Sequence, residues 1–345
     1  MEHSPDMVAE PVTTSSRKDL VFSGPVFLIG MPRSGTKLLR GLLNGHSKIR
    51  IPMVETEFLP YWVRRWPDYG DLSQPENFAR FYQDAIRLPY FLHIKAGSPI
   101  IPQEEWFSRC HDFSPAGVFE ALIRHKTGVE WGSGLIWGDK SPSYIGHLSL
   151  LKQLYPQARF IHIIRDVRDY CLSCQKAWGK QPVRAAQRWV DGITKARQDA
   201  ATFAEDYLEI HYEALVEQTE AVLGQCCEFL DVEFEPSMEQ HARLTEGRGD
   251  AKGYTSVKQD NTRKYQTRMA PRLVERIEAI AGSVLRSGGY EITYNGPSVR
   301  VPRWQLAYYQ LLDGIHLVIS GAEGRGILGS LAFQWRYFRA SGNRN

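Results

Sequence analysis

Apolar residues follow two rhythms along this chain. Pro25-Val-Phe-Leu-Ile-Gly30 is a short unbroken apolar run, followed by a Gly/Pro/Ser cluster and then by Lys37–Leu43, whose leucines recur at helical spacing. That succession predicts strand, loop, helix. It repeats at Ala158–Ile164, rich in β-branched residues, which leads through Arg165-Asp166 into a predicted helix over Val167–Trp178. A third unit runs from Tyr207–His211 into a helix over Glu213–Leu230, with Leu215, Val216, Val222, Leu223, Cys226 and Phe229 on its apolar face. Strands alternating with helices need crossover connections, so the expected class is α/β: a three-layer sandwich with a central parallel sheet flanked by helices.

Two regions break this rhythm. Pro52–Gly138 carries Trp62, Trp66, Trp106, Trp131 and Trp137 among short helical pieces and many breakers, and reads as a helical, aromatic-rich insertion over 52–138. Its tryptophans face a substrate or fill a core, since large aromatics dominate buried area in either case. Pro271–Arg286 has helical spacing and stops at Gly288-Gly289, closing a main domain expected over 25–296. Residues 1–18 are polar and lack the apolar stretch of a signal peptide, and a flexible tail is expected over 1–24. A C-terminal extension over 297–345 is apolar at helical period from Leu306 to Ile319, then Gly-rich and arginine-bearing. It is too broken to span a bilayer, which takes about 20 apolar residues. It packs on the core or a partner, or lies as an interfacial helix in peripheral contact with a membrane.

Composition narrows the function classes. The 345 residues hold 42 Lys plus Arg against 39 Asp plus Glu, a balance that gives no sign of a nucleic-acid arm or an acidic tail. Five cysteines, an odd number in a long chain, predict reduced thiols and a cytoplasmic setting. Cys171 and Cys174 have C-x-x-C spacing, but no second pair accompanies them, so they read as buried helix residues.

The candidate chemistry lies at the ends of the predicted strands. Gly30-Met-Pro-Arg33-Ser34-Gly35-Thr36-Lys37 joins a strand to a helix, where backbone N–H groups and the helix dipole favour an anion. The loop is P-loop-like without being a Walker A sequence, because Thr36 stands where the lysine belongs and Lys37 follows it. Arg33 adds a fork suited to a phosphate. The second strand ends at Arg165, and Ser173 follows eight residues later, about two helical turns on. Ends of neighbouring parallel strands share one side of a sheet, so Arg165 and Ser173 can clamp a second phosphate there. Alternatively, Arg165 simply pairs with Asp169 at the surface.

Pro32-Arg-Ser-Gly-Thr36, Arg165 with Ser173, Tyr212-Glu213-x-Leu-Val216 and Gly138-Asp-Lys140-Ser-Pro142 together resemble the sulfotransferases that use 3′-phosphoadenosine 5′-phosphosulfate (PAPS). The branch resembled holds protein-tyrosine and carbohydrate sulfotransferases, and the likeness runs from about Val26 to Tyr290. It implies that Arg33, Ser34, Gly35, Thr36 and Lys37 hold the 5′-phosphosulfate and that Arg165 and Ser173 hold the 3′-phosphate. By the same resemblance, Lys140 neutralises the bridging oxygen as the sulfuryl group leaves, and Tyr212 lies beside adenine. Lys264 and Tyr265 belong to a late segment that closes over the nucleotide, in which Arg263 replaces a frequent serine. The product would be 3′-phosphoadenosine 5′-phosphate (PAP).

An alcohol or phenol must lose its proton as its oxygen attacks sulfur, so a base is needed. Glu55, followed by Thr56, matches the family base, and Glu57 is the competing carboxylate. Arg33, Lys37, Lys140 and backbone N–H groups can supply the positive charge a metal would bring, so no metal is expected. The acceptor is a hydroxyl on a carbohydrate, glycolipid, small metabolite or tyrosyl peptide. Two other readings are a P-loop kinase of a small molecule and a silent nucleotide-binding or membrane-surface protein; the first needs the missing Walker lysine, and the second leaves Glu55 and Lys140 without a task.

Overall fold

The computed structural model describes residues 22–95, 99–240, 257 and 261–321. Most of the expected N-terminal tail and the segment after residue 321 lie outside the described residues. Five parallel strands form the sheet: β1 (Val26–Ile29), β2 (Ile49–Arg50), β3 (Ile136–Lys140), β4 (Arg159–Ile164) and β5 (Tyr207–His211). Their order is β2-β3-β1-β4-β5, which places β1 at the centre with Leu28 opposite both Lys140 and Ile161. The predicted α/β three-layer sandwich is the observed fold.

Alternation along β1 shows why two layers of helices are required. Val26 and Leu28 face α1 (Thr36–Leu43), α10 (Tyr212–Glu217) and α11 (Thr219–Phe229), in a core with Leu39, Leu42, Ile163, Leu215 and Leu223. Phe27 and Ile29 face the opposite core, built on α8 (Val167–Trp178), α9 (Pro182–Ala200) and α14 (Pro271–Ser287), with Trp189, Ile193, Ile277 and Leu285 buried in it. The helix expected over Glu213–Leu230 is two helices, broken at Gln218, whose backbone leaves the helical region at φ −136° and ψ 53°.

The strand β3 begins within the last three residues of the segment expected to be helical, 52–138, and runs two residues past it. It carries Gly138, Asp139 and Lys140 yet is buried along its whole length. A Cβ at Gly138 would collide with the Val26 carbonyl of β1, so glycine lets the two strands approach. The rest of the segment is helical: α2 (Leu59–Arg65), α3 (Pro75–Ala85), α4 (Pro89–Lys95), α5 (Gln103–Arg109) and α6 (Pro115–Thr127). Trp62, Trp106, Phe58, Phe78, Phe81, Phe91 and Phe119 pack as one aromatic cluster, with ring centroids such as those of Phe58 and Trp62 4.2 Å apart. All seven are buried, so these rings fill a core.

Candidate active site

The C-terminal ends of the strands converge on one rim. From β1, the chain turns through Arg33 at φ 77° and Gly35 at φ 97° before entering α1. Left-handed backbone is costly for arginine and marks a position over-determined by its surroundings. Gly35 is required, because a Cβ there would intrude on the Tyr212 ring. The first-turn N–H groups of α1 have no intrahelical partner and, with the helix dipole, make this end an anion site.

Two cavities meet at this turn. One, of about 290 Å³, is lined by Arg33, Gly35, Thr36, Lys37, Glu55, Glu57, Arg165, Trp178, Tyr212 and Asn261 among others. The second, of about 300 Å³, is lined by Arg33, Arg165, Asp169, Ser173, Lys176, Asn261, Lys264 and Arg268 together with Leu172 and Gln175. Arg33, Arg165 and Asn261 belong to both. Arg33 Nε donates to Ser173 Oγ at 3.3 Å, and Arg165 Nη1 donates to the Arg33 carbonyl at 3.2 Å. Arg165 also donates to the Asn261 carbonyl at 2.8 Å and lies 4.5 Å above the Tyr212 ring. It is only 5% exposed and does not pair with Asp169, so the surface ion-pair reading is replaced by a buried guanidinium between two cavities. Its Nε is buried without a partner, a donor left for something else. The second cavity holds five basic side chains against one carboxylate, Asp169.

The third cluster stands on the other side of the turn. Lys140, at the end of β3, has a fully buried side chain and forms an ion pair with Glu55. Burial lowers the Lys140 pKa, the Glu55 carboxylate opposes that shift, and Arg40 adds to it. Glu55 is held in place from both flanks. Arg40 Nη1 of α1 donates to the Met53 carbonyl at 2.6 Å, while Asn44 exchanges hydrogen bonds with the backbone of Ile51. On the other flank, Ser141 Oγ accepts from the backbone N–H of Thr56 at 3.0 Å and of Glu57 at 3.1 Å. The Tyr144 hydroxyl bonds to Thr56 Oγ1 at 2.7 Å and accepts from the Leu59 N–H at 3.2 Å. Beneath this loop, the Asp139 carboxyl is fully buried, and burial pushes the group up to about 7 against the lowering effect of the Ser141 and Thr56 hydroxyls.

Among the residues singled out from sequence, Arg33, Gly35, Thr36, Lys37, Glu55, Arg165 and Tyr212 line the first cavity, while Ser173 and Lys264 line the second. Lys140 lies beneath Glu55 and lines neither. Ser34 is fully buried and also lines neither cavity. Tyr265 is turned away: its ring packs 4.0 Å from the Arg168 guanidinium, and its N–H donates to Asp169 at 2.9 Å. Sequence reasoning missed Lys176, Arg268 and Trp178. Lys176 was within reach, because it stands three residues after Ser173 on the same face of α8. Among the described residues there is no group of three His, Cys, Asp or Glu side chains that could hold a metal.

Comparison with known proteins identifies the family and the fold. The family model described as "Sulfotransferase family" matches residues 25–236. Protein-tyrosine sulfotransferase 1 of Danio rerio is 24% identical over 229 residues, which make up 64% of this chain and 56% of that protein. Protein-tyrosine sulfotransferase A of Caenorhabditis elegans is 22% identical, covering 64% of this chain and 53% of that one. The chain thus spans about half the length of these two relatives. Among solved structures, the sulfotransferase domain of the Synechococcus PCC 7002 olefin synthase superposes with a TM-score of 0.51 at 20% identity, over 80% of this chain and 98% of that domain. With the family pattern extending from β1 past the end of β5, over more than half of its length, the chain belongs to the sulfotransferase family.

Proposed function

We propose that the protein transfers the sulfuryl group of PAPS to a hydroxyl acceptor, releasing PAP. The observation that carries this reading is the pair of adjoining cavities bridged by Arg33 and Arg165, which matches a ligand with separate anionic groups at two ends of one nucleoside. The 5′-phosphosulfate belongs at the α1 N-terminus with Arg33, Gly35, Thr36 and Lys37. The 3′-phosphate belongs in the basic cavity with Arg165, Ser173, Lys176, Lys264 and Arg268. Tyr212, stacked under Arg165, offers a face for the adenine.

The acceptor oxygen attacks sulfur in line with the leaving group while its proton passes to Glu55. The bond from sulfur to the bridging oxygen breaks, and its electron pair stays on the 5′-phosphate. Arg33, Lys37 and the loop N–H groups line the cavity where that charge develops, and Lys140, buried behind Glu55, acts on it from beneath the cavity wall. Glu55 and Glu57 both line the first cavity, and Glu55 is taken as the base because it stands in the Glu-Thr motif position. Incubation with labelled PAPS and a panel of glycans, glycolipids, phenols and tyrosyl peptides, scored by mass, tests the reaction. Label should move to one hydroxyl class without ATP. Tight binding of ATP with magnesium but not of PAP would replace this reading by a kinase.

A further inference from the structure

The helix α15 (Arg303–Gly321) presents an unusual face. Its inner side is anchored: Asp313 is 3% exposed, accepts from the Gln181 N–H at 2.8 Å and from Arg184 Nη1 at 2.6 Å, and Leu306 packs on the core. Its outer side carries Trp304, Tyr308, Leu311, Ile315 and Ile319, exposed by 73, 54, 61, 48 and 63% respectively. At helical spacing these five fall within an arc of about 80° and extend over about 22 Å. Between Trp304 and Ile319 the helix has no Lys, Arg or Glu, and its one Asp is the buried Asp313. A contiguous apolar stripe of this kind marks an interaction surface.

The position of α15 matters as much as its composition. The His316 ring fills the space a Cβ would take at Gly179, directly after Trp178, which lines the first cavity. Asp313, Pro32 and Trp178 also share a small cavity of about 40 Å³. The helix that carries the stripe therefore packs close to the cleft, pinned to α9, with the stripe on its outer side.

We propose that α15 is an interfacial helix that seats this edge of the cleft on an anionic lipid bilayer. Charge favours lipid over a second copy of the chain. The sequence that follows, 322–345, holds Arg325, Arg336, Arg339 and Arg344 against Glu323, with Phe333, Trp335, Tyr337 and Phe338 among them. Basic and aromatic residues beside an apolar helix face suit the headgroup boundary. A helix-on-helix dimer would want charged residues flanking the seam, and here Ala307, Leu312 and Gly314 stand there. The helix does not meet the requirements of a membrane span.

Flotation of the full chain with phosphatidylcholine vesicles, with and without phosphatidylglycerol, tests the proposal. The protein should float with the anionic vesicles and far less with the neutral ones. Leu311→Ser/Ile315→Ser, and separately Trp304→Ser, should each reduce the bound fraction, the double change by about tenfold or more. PAP affinity and melting temperature should be unchanged in both variants, which separates this proposal from the sulfuryl-transfer reading. Absence of flotation, flotation that survives both variants, or a lipid-free dimer dispersed by the same substitutions would overturn it.

Discussion

The strand-end rim and the aromatic lobe over α2–α6 are built on opposite principles. In the lobe, Trp62, Trp106 and Phe81 are buried ring against ring, and the Trp106 indole N–H donates to the Val118 carbonyl at 3.0 Å, so burial leaves little unsatisfied. The rim does the reverse. It holds Arg33 and Glu57 in left-handed backbone, buries the Lys140 side chain and the Asp139 carboxyl, and leaves Arg165 Nε without a partner. Such features cost stability and persist where a ligand or a reaction uses them. One region contributes stability, and the other draws on it.

Substitutions on each side should therefore separate in what they damage. The largest effect is expected from Lys140→Ala and Glu55→Gln, each lowering turnover by about 10²-fold or more with PAP binding retained, as read from single-turnover kinetics and calorimetry. Trp106→Ala should act only on the fold, costing about 3–5 kcal/mol in urea unfolding. Arg165→Ala should weaken PAP by about ten- to a hundredfold, the loss of charge-assisted hydrogen bonds worth about 1.5–3 kcal/mol. Arg33→Gly should raise stability by about 1 kcal/mol, through relief of left-handed strain, while weakening the donor. An Arg33→Gly variant no more stable than the wild type would remove the contrast drawn at that residue.

A further effect depends on pH and concerns Asp139. Its folded pKa, about 7, stands above the ordinary aspartate value of 3.8, so the folded state keeps a proton the unfolded chain has lost. The advantage of the protonated acid is fully present below pH 3.8 and is lost as pH rises through about 7. Asp139→Asn should flatten that part of the melting-temperature profile. An unchanged slope would show that Asp139 is ionised and paired in solution.

How far the sequence could be read follows from the same contrast. The runs leading into Arg33 and Arg165 are apolar, short and bounded by turn residues, so β1, β4 and their helices were legible. β3 was not, because Ile136-Trp-Gly-Asp-Lys140 is a buried strand written with loop-like residues: Gly138 for close approach to β1, Asp139 and Lys140 for the site. Glu55 was legible by motif, whereas its supports, Ser141 and Tyr144, are separated from it by 86 and 89 positions and unite only in the fold. Lys176 and Arg268 are single basic residues on helices, which in a sequence look like any solvated side chain. Tyr265 shows the converse, a motif residue whose ring the fold assigns to Arg168.

The account rests on one ligand occupying both cavities, and calorimetric titration of the wild-type chain with PAP and with adenosine 5′-monophosphate tests that most directly. PAP should bind at least about tenfold more tightly, since a phosphate seated among charged donors is worth about 1.5–3 kcal/mol, and Ser173→Ala/Arg268→Ala should erase most of the difference. Equal affinity for the two nucleotides, or a preference for PAP that survives the double substitution, would contradict it.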